Sequence, residues 1–267
     1  MRIRRSLAVL LRQFYLVRGS VSRLLPLFVW AAIDIVLWGF ITKYLDQVAA
    51  PGSRFVPTLL GAVLLWDFLQ RVMQGVTMTF FEDLWSRNFL NVFATPMLIG
   101  EYLLGLVLSS VATSLVGLVV MLIVAAAGFG LSFAMYGAAV LPFVLVVWLF
   151  GIALGVVGAA VVLRLGPSAE WFVWPIPALV SPFVGVFYPI ATLPAWMQAV
   201  ARILPPSYVF ESMRGMVAGR APDMRMLALG ALLALAYVVA ACVLFARIHR
   251  YAVRTGLIAR YSAESVS

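Results

Sequence analysis

Apolar runs constrain this chain more than any other feature. Residues 24–45, 55–79, 102–127, 135–163, 171–188 and 226–246 carry few charges over lengths near or above twenty residues. A helix needs about 20 residues to cross roughly 30 Å of hydrocarbon. In lipid only helices and closed barrels satisfy every backbone N–H and C=O, and the strand alternation of a barrel is absent. Composition agrees: 64% of the chain is hydrophobic and 11% charged, where soluble chains run about a quarter charged. The expected fold class is all-α integral membrane, one domain over residues 1–267 with six transmembrane helices and no repeat of fixed period.

Charge sets the expected orientation. The net charge is +9, and its arginines cluster at the two ends. Arg2, Arg4, Arg5, Arg12, Arg18 and Arg23 precede the first run; Arg247, Arg250, Arg254 and Arg260 follow the last. This distribution suits membrane lipids and topology setting rather than nucleic acid. An even span number with positive ends predicts both termini in the cytoplasm, although Arg202, Arg214, Arg220 and Arg225 then lie outside. Within residues 2–22, Ile3, Leu7, Leu10, Phe14, Val17 and Val21 recur at steps of three and four, with Arg5 and Arg12 on the far side. That pattern reads as an amphipathic helix in the membrane plane; the competing reading is a solvated basic leader. The apolar run from Leu7 to Leu11 is cut by Arg12 and lacks a small-residue cleavage site, unlike a signal peptide.

Several chemistries have no residues to work with. One Cys and one His cannot make an intrachain disulfide or a His/Cys metal site. The sole lysine, Lys43, lies in Thr-Lys-Tyr, so the Gly-Lys-Ser/Thr phosphate loop is missing. A Ser-His-Asp arrangement would have to use His249, among terminal arginines, and the adjacent Glu82–Asp83 pair sits on a surface segment. No catalytic residue, metal or chain-bound cofactor is expected, and the chain is not expected to be an enzyme.

Three stretches carry polar residues in a pattern. In the second run, Asp67, Gln70, Arg71 and Gln74 stand at i, i+3, i+4 and i+7, on one helix face. Charges at membrane depth are costly and face the bundle interior or water. With Asp34 of the first run, they read either as the lining of a transport path or as a neutralised pair locking the second helix to a neighbour. The second stretch is a polar island, residues 80–101, in which Glu82, Asp83, Leu84, Trp85, Arg87, Asn88 and Phe89 form an amphipathic helical pattern over 81–94, closed by Thr95-Pro96. The third, 192–218, holds two short helical patterns broken at Pro205-Pro206, with Ser207 expected to cap the second. It reads as a re-entrant hairpin in the outer leaflet, or as an amphipathic cap lying on it. Gly105, Ser109, Gly151 and Gly155 permit close helix contact.

These pieces resemble a known family. The basic leader, the segment EDLWSRNFLNVFATPM followed by Glu101, and the segment FYPIATLPAWMQAVARILPPSYVFESMRGMV are similar to those of ABC-2 type exporter permeases. That group includes nodulation-factor, drug and O-antigen exporters. The resemblance implies a dimer of two copies of this chain, each bound by a separate cytoplasmic ATPase subunit, so that two ATPase copies hold the ATP and Mg. It implies that residues 82–89 form a coupling helix seated on that ATPase, with Trp85 and Phe89 as apolar anchors. It also implies an external gate around Tyr188, Pro194, Trp196, Pro205, Pro206, Tyr208 and Glu211.

The leading expectation is therefore a permease subunit of an ATP-driven exporter in a bacterial inner membrane, moving an amphipathic, lipid-linked or glycan-type substrate. The alternative is a proton-gradient-driven carrier using Asp34 and Asp67. A membrane-anchored enzyme or assembly factor is a third class, disfavoured by the scarcity of polar residues on loops.

Overall fold

A chain this apolar must hydrogen-bond its backbone locally, and among the described residues every regular element is helical. The structure, a computed structural model, describes residues 3–49, 55–86, 91–92 and 95–257. Helix α1 spans Ile3–Arg18 and α2 spans Val21–Val48. A wide helical turn, Val56–Leu60, leads into α3, Gly61–Trp85. Then come α4, Ile99–Phe129, and α5, Val140–Leu165, joined through a 3-10 segment, Phe133–Ala139. Short pieces follow: α6, Ile176–Val184; α7, Ala195–Ala201; and α8, Pro205–Val217. Helix α9, Met224–Arg254, is last.

Local chemistry sets several of these boundaries. The Glu101 carboxylate accepts the Leu98 N–H at 3.1 Å at the start of α4, and Gly130, at φ 69°, closes that helix in the left-handed region. Asp223 caps α9 by accepting from the Arg225 and Met226 amides at 3.0 and 3.2 Å.

Among the described residues, five helical segments are long and apolar enough to cross a membrane: Phe28–Val48, Val56–Trp85, Ile99–Phe129, Phe133–Leu165 and Met224–Arg254. The expected span at 171–188 is not a helix of that kind. Its α-helical part is α6, with 9 residues, about 13.5 Å long at 1.5 Å per residue. Pro175, Pro177 and Pro182 each remove a backbone donor, and Gly185 at φ 73° ends the helix. A 3-10 turn, Pro167–Phe172, precedes it.

The side contacts sort the helices by end. At one end Trp85 of α3 meets Glu170, Arg5 of α1 meets Glu101 of α4, and Arg164 of α5 lies over Tyr251 of α9. At the other end Lys43 of α2 meets the Gly128 carbonyl, the Tyr136 hydroxyl donates to the Pro57 carbonyl at 2.8 Å, and Tyr208 of α8 lies on Gly230 of α9. From the Glu170 end the chain climbs back until Phe187 stacks on Trp38 of α2 at 5.2 Å.

Helix α3 is the most buried of the five long segments. One face lies on α5, where a Cβ added at Gly151 would come 2.8 Å from the Leu69 carbonyl oxygen, and one at Gly155 would come 2.7 Å from Val76 Cβ. Its approach to α4 is equally close: the Ser110 hydroxyl donates to the Val72 carbonyl at 2.6 Å. Helices α1 and α2 pack against α4, and α9 packs against α5.

The face that α1 turns inward is its polar one. Ser6, Val9 and Gln13 are buried, while Ile3, Leu7 and Phe14 of the apolar stripe remain exposed. Arg5 and Arg12, expected on the far side, point into the bundle and form ion pairs.

Because α5 offers α3 only glycine at the crossing, larger side chains there have no space. Gly155→Leu is expected to overpack the contact by about 1–3 kcal/mol. That corresponds to a fall in Tm of roughly 3–10 °C for a chain of this size, measurable by thermal unfolding of the detergent-solubilised protein; Gly100→Leu, where nothing lies within 4 Å of the added Cβ, should be near neutral.

Candidate functional site

The polar stripe of α3 faces away from the α5 crossing, and it opens onto a cavity of about 830 Å³. Walls come from α1, α2, α3 and α4, with Trp174 and Phe187 added from the broken segment. Asp34, Asp67, Gln70, Arg71 and Gln74 all line it. Arg71 points Nε and Nη2 at the same Asp67 oxygen, each at 3.0 Å, while Asp34 on α2 lies 4.0 Å from Nη2. The arginine stem runs over Gly117 of α4, where an added Cβ would come within 2.8 Å of Arg71 Cδ. The pair reaches toward Asp34, and the same residues line an open space.

Among the described residues, the charged groups lining this space are Asp34, Asp67, Glu82 and Arg71. Trp30, Trp38 and Trp66 supply the aromatic wall. Gln13 also lines it. Its residue is 8% exposed, and its Oε1 accepts no hydrogen bond among the described residues.

At the Trp85 end, the island residues split into different roles. Helix α3 continues to Trp85, so Glu82, Asp83, Leu84 and Trp85 belong to the end of that long helix. Asp83 is buried: it forms an ion pair with Arg12 and accepts the Tyr102 hydroxyl at 2.7 Å. Burial works against the Arg12 charge, but the hydrogen bond and Coulomb attraction of Asp83 outweigh it and hold the guanidinium pKa above its ordinary value. Leu84 is buried as well, and Glu82 faces the cavity. Trp85 is half exposed, with its indole N–H donating to Glu170 at 3.1 Å. Arg87, Asn88 and Phe89 lie outside the described residues.

At the opposite end come the short helices α7 and α8, separated by residues 202–204. Pro194 precedes α7, and α8 begins at Pro205, with Pro206 after it. Ser207 was expected to cap this helix. It lies instead inside the first turn, buried, because Pro205 already supplies the preset φ of a first helical residue. Glu211 joins α8 to the broken segment: it accepts the Ile190 N–H at 2.8 Å and pairs with Arg214 at 3.0 Å, and Arg214 also donates to the Gly185 carbonyl. The Tyr188 hydroxyl donates to the Pro182 carbonyl at 2.8 Å, and that of Tyr208 to the Arg202 carbonyl at 2.7 Å. Trp196 is exposed, edge-on to Phe183 at 6.0 Å.

Sequence reasoning missed Arg12, Gln13, Tyr102 and Glu170. A signal for the first two was present: Arg5, Ser6, Val9, Arg12 and Gln13 recur at steps of one, three and four, marking a face as regular as the apolar stripe beside it. Nothing local marks Tyr102 or Glu170, since their partners come from distant segments.

The ABC-2 type transporter family model matches residues 7–217, from α1 through α8. No curated protein matches the chain.

Removing Arg12 would leave the Asp83 carboxylate buried beside a single hydroxyl. Arg12→Ala is expected to cost about 3 kcal/mol, and Asp83→Asn in the same chain should restore part of it. A double-mutant cycle on unfolding free energy reads this coupling. Arg5→Ala should cost less, because Glu101 keeps its hydrogen bond from the Leu98 amide.

Proposed function

The chain belongs to the ABC-2 type transporter family, and from that premise we propose that it is the membrane subunit of an ATP-driven exporter. The observation that carries this reading is the family match, which takes in the leader, the polar cavity and the hairpin together. Permeases of this family generally work as dimers with a cytoplasmic ABC ATPase. Two copies of this chain would bind two such ATPases, which hold the ATP and Mg.

The arginine-bearing end, with α1, Arg164, Arg247, Arg250 and Arg254, faces the cytoplasm of a bacterial inner membrane in this reading. Residues 166–190 make a sixth crossing as a broken helix, supported by the climb from Glu170 to Phe187, so both termini are cytoplasmic. The α7–α8 hairpin then sits at the outer end as the gate, with Glu211 and Arg214 holding it to the chain that feeds it.

Coupling enters at the end of α3. Trp85 is the exposed apolar anchor there, with Phe89 expected beside it. Asp83 acts one step back, by tying α1 and α4 to the segment that the ATPase moves. Such a handle drives transport only if its contacts differ between the two states of the ATPase. The cargo is amphipathic; drug-like, lipid-linked and glycan-type molecules all fall within the group the chain resembles.

A proton-driven carrier using Asp34 and Asp67 is the competing reading. Transport in ATPase-free liposomes under an imposed proton gradient, lost in Asp34→Asn, would establish it in place of the exporter.

Co-expression with a family-type ATPase is expected to yield a stable complex. Trp85→Ala should lower permease-stimulated ATP hydrolysis by about tenfold, as loss of an interfacial aromatic anchor does. If no such ATPase copurifies, or if stimulation is unchanged in Trp85→Ala, the exporter reading is wrong.

A further inference from the structure

The cavity chemistry narrows the cargo. Among its described lining residues, Asp34 and Asp67 share one guanidinium, that of Arg71, whose Nε and Nη2 both converge on one Asp67 oxygen. Asp34 stands 4.0 Å from the same guanidinium, beyond hydrogen-bond distance, and keeps 44% of its side chain open. A carboxylate at membrane depth is tolerated when something of opposite charge compensates it, and the described lining supplies no second cation.

The surroundings of Asp34 fit such a compensating charge. Trp30 and Trp38 stand one turn before and one turn after it on α2, hence on the same face, and both line the cavity. Stacking on Phe187 fixes the Trp38 indole at 5.2 Å and 18°. Indole faces attract cations through the ring quadrupole, more strongly where water is excluded.

We propose that this cavity binds an amphipathic organic cation, with Asp34 as counter-ion and Trp30 and Trp38 as aromatic walls. The inference rests on the exporter reading for its meaning as cargo, but the site itself is defined without the ATPase. An anionic lipid-linked pyrophosphate is a poor occupant, since it would meet the Asp34 and Asp67 carboxylates, which share one guanidinium.

The test uses the full chain in nanodiscs of phosphatidylcholine, a lipid without net charge, titrated with ethidium, an aromatic cation with amino groups. Saturable binding is expected, read by ethidium fluorescence and tryptophan quenching. Asp34→Asn should weaken it roughly tenfold or more, the scale of a lost charge-assisted contact, while Asp34→Glu retains most of the affinity. Trp30→Leu, at an exposed position, should weaken it about threefold. Farnesyl pyrophosphate in excess should not compete. Absence of saturable binding, unchanged affinity in both Asp34→Asn and Trp30→Leu, or displacement by farnesyl pyrophosphate overturns the proposal. Because no ATPase is present, ethidium binding that survives a failed Trp85 experiment keeps the cation site and rejects only the exporter reading; the converse result rejects only the cation site.

Discussion

Asp67 and Arg71 lie one turn apart on a helix long and apolar enough to cross a membrane. Charges there are tolerated where they are paired and turned to protein or water. That requirement governs how α3 is mounted. Its apolar side must be sealed, and α5 does so by presenting Gly151 and Gly155 to Leu69, Val72 and Val76. Its polar side must face a space, and Gly117 of α4 leaves room for the arginine stem to reach along that space toward Asp34. The cavity is thus the consequence of a charged stripe on a helix otherwise packed as core.

A second pair of charges organises the Trp85 end. Asp83 and Glu101 close the two helices on either side of the island, and both are buried. Each is matched by an arginine of α1, Arg12 and Arg5. Breaking the Arg12 pair leaves Asp83 buried beside one hydroxyl, which costs far more than a surface ion pair gives, while Glu101 keeps its bond from the Leu98 amide when Arg5 is lost. The leader is therefore bolted to α3 and α4. These contacts tie α1, α3 and α4 together beside the segment that follows Trp85. For a family that generally works with a separate ATPase, such a junction is a mechanically sound place to receive a push.

The opposite end is built on weaker periodicity and stronger covalent constraint. Prolines at 182, 189, 194, 205 and 206 deny a continuous hydrogen-bond ladder. The pieces that remain are held by side chains: Glu211 and Arg214 take up the Ile190 amide and the Gly185 carbonyl, and tyrosine hydroxyls donate to the Pro182 and Arg202 carbonyls. Irregular backbone beside a membrane needs such partners. The 171–188 run illustrates the limit of hydropathy: its composition is that of a span, while its prolines and Gly185 shape it into a turn and a short helix.

Much was legible in the residues alone. Hydropathy placed the long helices, since the hydrocarbon length and the cost of bare backbone polar groups leave a chain this apolar no other regular structure. The i, i+3, i+4, i+7 spacing put Asp67, Gln70, Arg71 and Gln74 on one face, because that follows from 3.6 residues per turn. What local spacing could not carry was which face meets which partner. Arg5 and Arg12 were as readily placed toward solvent as toward Asp83 and Glu101, and only the packing of α1 on α4 decided it. Gln13, Tyr102 and Glu170 became meaningful through neighbours tens of residues away. Residue order determined the helices and their polar stripes; the tertiary structure alone decided that Asp34, the α3 stripe and Gln13 share one cavity, since that depends on three helices meeting at angles set by glycine contacts and buried ion pairs.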